Sequence, residues 1–142
     1  LTVRPELVEG PKCNTFRLSL YKMITGVVGV TLWTDNLERM FRFYHDLLQL
    51  PLHSRHEDFI AFQLGDIRFN LGLHHRVQGE SKDPFRIMTH LGVDDIHQEY
   101  RRLQAEGVEF IRPPEQEHWG GWIATFKDPD GNILQMLQLP DK

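Results

Sequence analysis

Apolar residues along the chain follow two periods, and the order of these periods occurs twice. In the first half, a stretch with strand-like alternation ends near Trp33, and apolar residues then recur three and four positions apart, as on one face of a helix. These residues are Leu37, Met40, Phe41, Tyr44, Leu47 and Leu48. The second half repeats the pattern 59 residues later with Ile96, Tyr100 and Leu103, and Gly107 is placed to end the helix. The repeat predicts two similar units that face each other across a shared cleft, where the function is expected.

Each predicted helix is followed by three short segments with the two-residue period of β-strands. In the first unit the predicted elements are a strand over 27–33, a helix over 37–48 and strands over 52–56, 59–64 and 67–74. In the second unit they are a strand over 86–93, a helix over 96–106 and strands over 108–112, 122–127 and 133–139. The pattern therefore predicts an α+β fold of two βαβββ modules, with module one at 24–75, a polar linker at 76–85 and module two at 86–139.

Local signals predict where several of these elements begin and end. Asp35 and Glu38 have the spacing of a capping box at the start of the first helix. Pro113 and Pro114 are expected to end the strand before them, because proline has no N–H to donate to a neighbouring strand. The segment 128–132, Asp-Pro-Asp-Gly-Asn, has the composition of a tight turn.

The composition indicates one domain and argues against two classes of partner. The chain has 142 residues, of which 40% are hydrophobic and 25% charged, so it can bury a core. A net charge of -4 without a basic cluster argues against binding to nucleic acid or to an anionic membrane. No apolar run is long enough to cross a bilayer. The single cysteine, Cys13, cannot form an internal disulfide, and a cytoplasmic location is therefore predicted.

Residues 1–22 are predicted to be an extension of a single domain at 23–142. Apolar and polar residues alternate over 15–21, which predicts an additional strand on a sheet edge or across a dimer interface. A flexible tail is the alternative.

Two strings of residues in this framework carry a family resemblance. The first is Asp-Asn-Leu-Glu-Arg at 35–39 with Phe-Tyr-His-Asp-Leu-Leu at 43–48, and the second is Asp-Pro-Asp-Gly-Asn-Ile-Leu-Gln at 128–135. With the duplicated modules, they make residues 24–139 resemble the vicinal oxygen chelate (VOC) superfamily, which includes glyoxalase I, extradiol dioxygenases, fosfomycin-inactivating transferases, methylmalonyl-CoA epimerase and bleomycin-binding resistance proteins. The resemblance implies two modules whose concave sheet faces line a cleft, with the helices outside.

Metal-dependent members of that superfamily hold a divalent ion with His and Glu side chains from four strands. By position, the resemblance places these residues where the ligands are expected: Gly29, Asn70, Met88 and Gln135. Glycine offers no side-chain ligand, and the other three are poor donors for Mn, Fe, Ni or Zn, so no metal cofactor is predicted. The alternative is a divalent metal at a rearranged site built from His90, two residues after Met88 on the same strand face, and His74.

The cleft is predicted to bind a small organic ligand, planar or cationic, because tryptophan rings offer flat faces for stacking. Strand parity places Thr31 and Trp33 on the inner face of the first strand, and Arg68, Asn70 and His74 on that of the fourth. The complete set of predicted ligand-binding residues is Trp33, Thr31, Arg68, Asn70, His74, Met88, His90, Trp119, Trp122 and Gln135. The competing interpretation is that the tryptophans pack in the core or in a dimer interface and that the histidines are solvated or hydrogen-bonded.

These features favour a metal-independent small-molecule-binding protein, similar to the drug-sequestering, antibiotic-resistance branch of the superfamily, in which two chains pair and no bond is broken. No catalytic residue is predicted, since the chain has no nucleophilic triad, phosphate-cradling glycine loop or zinc-ligand spacing. Two alternatives stay open: a metal-dependent lyase, isomerase or dioxygenase of the glyoxalase type, and a regulatory or structural protein whose cleft has closed. The predicted partners are a small organic ligand and a second copy of the chain in a homodimer.

Overall fold

The structure is a computed structural model that describes residues 23–141, so the predicted strand at 15–21 lies outside the described residues. The first unit contains β1 (Gly29–Thr34), α1 (Leu37–Phe41), a π-helix (Arg42–Leu47), β2 (Leu52–Arg55), β3 (Phe59–Leu64) and β4 (Ile67–Leu73). The second unit contains β5 (Thr89–Gly92), α2 (Ile96–Ala105), β6 (Phe110–Gln116), β7 (Trp122–Lys127) and β8 (Ile133–Gln138). No helix within 23–141 has the length and apolarity needed to cross a membrane.

The strands form two four-stranded sheets with the same topology. The order is β1-β4-β3-β2 in one sheet and β5-β8-β7-β6 in the other. In each sheet the first strand of the unit pairs in parallel with the last, and the other neighbours are antiparallel. The predicted α+β fold of two βαβββ modules is confirmed.

The N-cap of the first helix lies one residue later than the sequence predicted. The Asn36 side chain accepts a hydrogen bond from the Arg39 backbone N–H at 3.1 Å, which makes Asn36 the N-cap. The Asp35 carboxylate instead accepts a bond from the backbone N–H of Gly79 at 2.9 Å and so anchors the linker. The predicted capping box of Asp35 and Glu38 was therefore wrong, and Glu38 pairs with Arg55 at 2.8 Å.

The predicted α-helix over 37–48 is α-helical only as far as Phe41. It continues as a π-helix over Arg42–Leu47, in which the Leu48 N–H donates to the Phe43 carbonyl, five residues back, at 2.9 Å. The wider turn keeps Phe43 and Tyr44 buried on the face that packs against the rest of the protein. Gln49 then ends the helix with a φ of 60°.

The two prolines of the second unit lie inside a strand, contrary to the prediction that they end it. Pro113 and Pro114 belong to β6, whose pairing with β7 shifts register between Arg112 and Glu115. Strand β6 is the outermost strand of its sheet. Proline is tolerated at an edge strand and at a bulge because neither position requires every N–H to be donated.

The two units share one hydrophobic core through their helix-bearing sides. The Phe43 ring of the π-helix lies 6.3 Å from the ring of Phe126 on β7. The Arg102 guanidinium of α2 donates to the Leu47 carbonyl at 2.7 Å. Buried residues from both helices and from the adjacent sheet faces belong to this single core. Each helix packs against its own sheet, and the π-helix also contacts the second unit.

Candidate functional site

Each sheet has one face that points away from its helix, and these faces carry most of the predicted site residues. The first open face is formed by alternate residues of β1 and β4, namely Gly29, Thr31, Trp33, Arg68, Asn70 and Gly72. The second open face contains His90, Thr125 and Gln135, which lie side by side on β5, β7 and β8. The intervening residues of the first sheet, such as Phe69 and Leu71, are buried toward the helix side.

Contacts between the two units lie on the helix sides of the sheets, opposite to the open faces. The units meet through core residues such as Phe43 and Phe126, which lie on the helix sides of the two sheets. The cleft expected between the two halves stays a prediction for the open faces.

Trp33 lies directly over Gly72 on the first open face. A Cβ atom added to Gly72 would lie 2.5 Å from Cζ3 of Trp33, so this position has room only for glycine while the indole stays in place. The ring is flanked by Phe59, with ring centroids 6.1 Å apart, and by His74, with centroids 5.3 Å apart in an edge-on arrangement. Trp33 remains 44% exposed. Its ring is therefore fixed by these neighbours and still accessible for stacking.

The centre of the first open face is neutral and hydrogen-bonded. The Asn70 amide donates to the Thr31 hydroxyl at 3.2 Å across the β1–β4 pair. At Gly29, a Cβ atom would lie 3.0 Å from the Arg68 carbonyl oxygen, so the neighbouring strand leaves little room for a side chain there. The exposed Arg68 guanidinium donates to the side-chain oxygen of Gln63 on β3.

The second open face also carries an amide that is hydrogen-bonded to a threonine, but this threonine lies on β7. The Gln135 amide donates to the Thr125 hydroxyl on β7 at 3.1 Å. His90 lies opposite Gln135 on the other side, in β5, and its side chain is exposed. Met88 precedes β5, which begins at Thr89, and so lies outside the shorter strand that the structure shows.

The residues at the superfamily's ligand positions do not fit a divalent metal. Gly29 has no side chain, and the amides of Asn70 and Gln135 are engaged with threonine hydroxyls. His74 and His90 lie on the open faces of different units. Within residues 23–141, no three His, Cys, Asp or Glu side chains are grouped so that they could hold an ion.

The other two predicted tryptophans lie in different surroundings. Trp119 is exposed in the turn between β6 and β7 and packs over Gly121, where a Cβ atom would lie 2.0 Å from its Cζ3 atom. Trp122 lies on the helix side of the second sheet, with its ring 4.7 Å from that of His97 on α2. The structure therefore does not bring Trp122 to the second open face with Gln135.

Sequence reasoning missed two residues that shape the open faces. Phe59 flanks Trp33, and Thr125 orients Gln135. The alternation along β7 contained the signal for Thr125, because it places Trp122 and Phe126 on one side and Thr125 on the other. Phe59 had no local signal, since its position depends on the pairing of β3 with β4.

A buried polar network between the units was also missed. The Tyr44 hydroxyl donates to the Asp128 carboxylate at 2.7 Å, and the Arg39 guanidinium donates to Asp130 at 2.6 Å. The backbone N–H groups of Asp130 and Asn132 also donate to Asp128, each at 2.9 Å. Burial raises the pKa of Asp128, while the hydrogen bonds from Asn132 and Tyr44 oppose that rise.

Comparison with known proteins identifies the family. The model of the Glyoxalase/Bleomycin resistance protein/Dioxygenase superfamily matches residues 26–136. A bleomycin resistance protein of Klebsiella pneumoniae is 34% identical over 104 residues, which are 67% of this chain and 79% of that protein. An uncharacterized protein of Shewanella frigidimarina is 40% identical over 57 residues, which are 40% of this chain and only 42% of that protein.

A solved structure has the same fold. A glyoxalase/bleomycin resistance protein/dioxygenase from Nocardioides superposes with a TM-score of 0.68 at 22% identity, covering 86% of this chain and 88% of that one. The fold, the duplicated units and the sequence match together define a VOC-type protein. The chain belongs to the Glyoxalase/Bleomycin resistance protein/Dioxygenase superfamily.

Proposed function

We propose that the chain is a metal-independent binding protein that captures a small planar or cationic organic molecule, in the manner of the drug-sequestering branch of its superfamily. The observation that carries the proposal is the accessible Trp33 ring, held over Gly72 and flanked by Phe59 and His74. Such a surface suits stacking, and the neutral amides of Asn70 and Gln135 suit hydrogen bonds with an uncharged group. No bond is broken in the captured molecule. Capture is expected to take place in the cytoplasm.

The proposal includes a homodimer as the binding unit. The contacts between the units of one chain lie on the helix sides of the sheets, so these contacts do not supply a wall opposite either open face. A second copy can supply that wall by placing its second open face against the first open face of its partner. Strands β1 and β5 are outer strands of their sheets and have an edge available for this contact. The Klebsiella relative, a bleomycin resistance protein by name, supports the choice of branch.

Titration with metal-free bleomycin tests the proposal. We expect saturable quenching of tryptophan fluorescence, with the same affinity in the presence and absence of EDTA. Trp33→Ala is expected to weaken binding by about 1 to 3 kcal/mol, roughly fivefold to 150-fold, because the stacking surface is lost. If the purified protein retains a stoichiometric divalent ion that His90→Ala removes, the metal-independent reading fails.

A pair of glycine variants provides the matched control. Gly72→Ala is expected to displace the Trp33 ring and weaken binding, since the new Cβ atom would collide with it. Gly121→Ala makes the same change beneath Trp119 in the turn between β6 and β7, where the new atom would lie 2.0 Å from the ring, and should bind like the parent. Equal affinities for the two variants would show that the position of Trp33 does not matter.

A further inference from the structure

A separate cavity of about 560 Å³ opens between the two units. Its walls include Phe43 and Leu47 of the π-helix, Val108 and Ile111 from the second unit, and Phe85 of the linker. Among the described residues, those of the two open faces do not line it. Its volume lies in the range of roughly 300 to 1,000 Å³ that is typical of sites for small molecules. The cavity is therefore large enough for a ligand of its own.

The π-helix forms one apolar wall and is held firmly. Phe43 is buried against Phe126, and the Leu47 carbonyl accepts a hydrogen bond from Arg102 of the other unit at 2.7 Å. The π-helix, rather than a regular α-helix, carries both wall residues. Such segments are rare and occur frequently at functional sites. This wall is thus preformed by contacts that join the two units.

The linker also lines the cavity and is anchored to the turn between β7 and β8. The backbone N–H of Ser81 donates to the Asp130 carbonyl at 2.8 Å. Phe85, four residues further on, lines the cavity while remaining 60% exposed. An exposed aromatic ring in the lining of a cavity offers surface that a ligand can cover.

Charged side chains around the cavity are mainly acidic. Glu80 and Glu109 are exposed residues in its lining, and Asp128, whose carboxylate is buried and hydrogen-bonded to Tyr44, also lines it. Lys127 is the basic residue among those that line it, and its ammonium group lies 3.5 Å from the Glu109 carboxylate. Carboxylates therefore exceed ammonium groups at the cavity, which favours a cation over an anion.

We propose that the cavity between the units is a second binding site, which takes an amphipathic organic cation. The apolar chain or ring of the ligand lies against Leu47, Ile111 and Phe85, and its protonated amine lies near Glu80 and Glu109. This site does not depend on the proposed function of the open faces. Its ligand needs no aromatic ring, since Trp33 is not part of the site.

Two probes with the same eight-carbon alkyl chain and opposite charges test the proposal on the 142-residue protein. n-Octylammonium is expected to bind by calorimetry and to shift the backbone amide resonances of Phe85, Val108 and Ile111. n-Octanesulfonate is expected to bind at least about tenfold more weakly, because its charge is repelled by the carboxylates. Equal binding of the two probes, or resonance shifts confined to Thr31, Asn70 and Gln135, would overturn the proposal.

Matched variants locate the ligand within the cavity. Phe85→Ser should weaken n-octylammonium binding about tenfold, whereas Ile87→Ser, a change at an even more exposed apolar residue outside the lining, should not. The double variant Glu80→Gln with Glu109→Gln should weaken n-octylammonium binding about fivefold. Glu57→Gln, the same change outside the lining, should not. Trp33→Ala should leave this binding unchanged, so the two sites can fail independently. Loss of binding in both control variants would show that the cavity is not the site.

Discussion

At the scale of single residues, the pair Tyr44 and Asp128 connects the two units chemically. Tyr44 belongs to the π-helix of the first unit, and Asp128 begins the turn between β7 and β8 of the second. The sequence indicated only a core position for the tyrosine and a turn for the aspartate. Burial, followed by the charge and hydrogen bond of Asp128, raises the pKa of Tyr44 well above its ordinary value of 10.0. The tyrosine therefore keeps its proton in the folded protein at a pH where it loses it in the unfolded chain.

This difference predicts a loss of stability at alkaline pH. Above about pH 10 the unfolded chain releases the Tyr44 proton while the folded protein retains it, so the free energy of unfolding falls as pH rises, with a slope of up to about 1.4 kcal/mol per pH unit. Tyr44→Phe removes this contribution. Urea denaturation of both proteins from pH 8 to 11 should show a difference in stability that narrows above about pH 10.

At neutral pH, Tyr44→Phe is expected to be less stable than the parent by about 1 to 3 kcal/mol, because Asp128 loses a buried hydrogen-bond donor. Tyr100→Phe is the matched control. It removes the same hydroxyl from a half-buried tyrosine that packs edge-on against Phe110. The assigned role of Tyr44 would be contradicted if Tyr44→Phe and the parent differed in free energy of unfolding by the same amount at every pH. It would also be contradicted if Tyr100→Phe gave the same change as Tyr44→Phe.

At the scale of elements, the pattern located the helices and strands but not their internal geometry. The apolar period over 37–48 is compatible with an α-helix and also with an α-helix that widens into a π-helix, because the same face stays buried. The choice depends on hydrogen bonds such as that from Leu48 to Phe43, which are set by packing. In β6, Pro113 and Pro114 are accommodated by the edge position, which local sequence does not reveal.

The start of α1 allows a direct comparison of two adjacent residues. Asn36→Ala removes the bond to the Arg39 N–H and is expected to lower the free energy of unfolding by about 1 kcal/mol. Asp35→Ala removes only an exposed bond to Gly79 of the linker and should cost about half as much or less. Urea denaturation of the two variants measures the difference. A larger effect at Asp35 would restore it as the cap.

At the scale of the whole molecule, exposed apolar residues precede the two free sheet edges. Val28, which is 77% exposed, comes directly before β1, and Ile87, which is 80% exposed, lies two residues before β5. These residues occupy equivalent places in the two units, 59 positions apart. Exposed apolar groups at equivalent edges are consistent with the proposed pairing of two chains.

The pairing predicts that one double variant abolishes both assembly and ligand capture. The parent is expected to have the mass of two chains by light scattering, and Val28→Asp with Ile87→Asp is expected to have the mass of one, because each carboxylate would be buried without a partner. Leu139→Asp, a comparable change at another exposed apolar residue, should remain dimeric. A monomeric parent that still binds bleomycin would show that one chain suffices.

The sequence by itself determined the features that depend on neighbouring residues and on side-chain chemistry. The duplicated order of helix and strands follows from local periods, and glycine at position 29 lacks a side-chain ligand in any fold. The tertiary structure alone decided that the units meet through their helix sides, that Trp122 packs against α2, and that Asn70 bonds to Thr31. The physical reason is that such arrangements depend on contacts between residues far apart in the chain, and no local period encodes them.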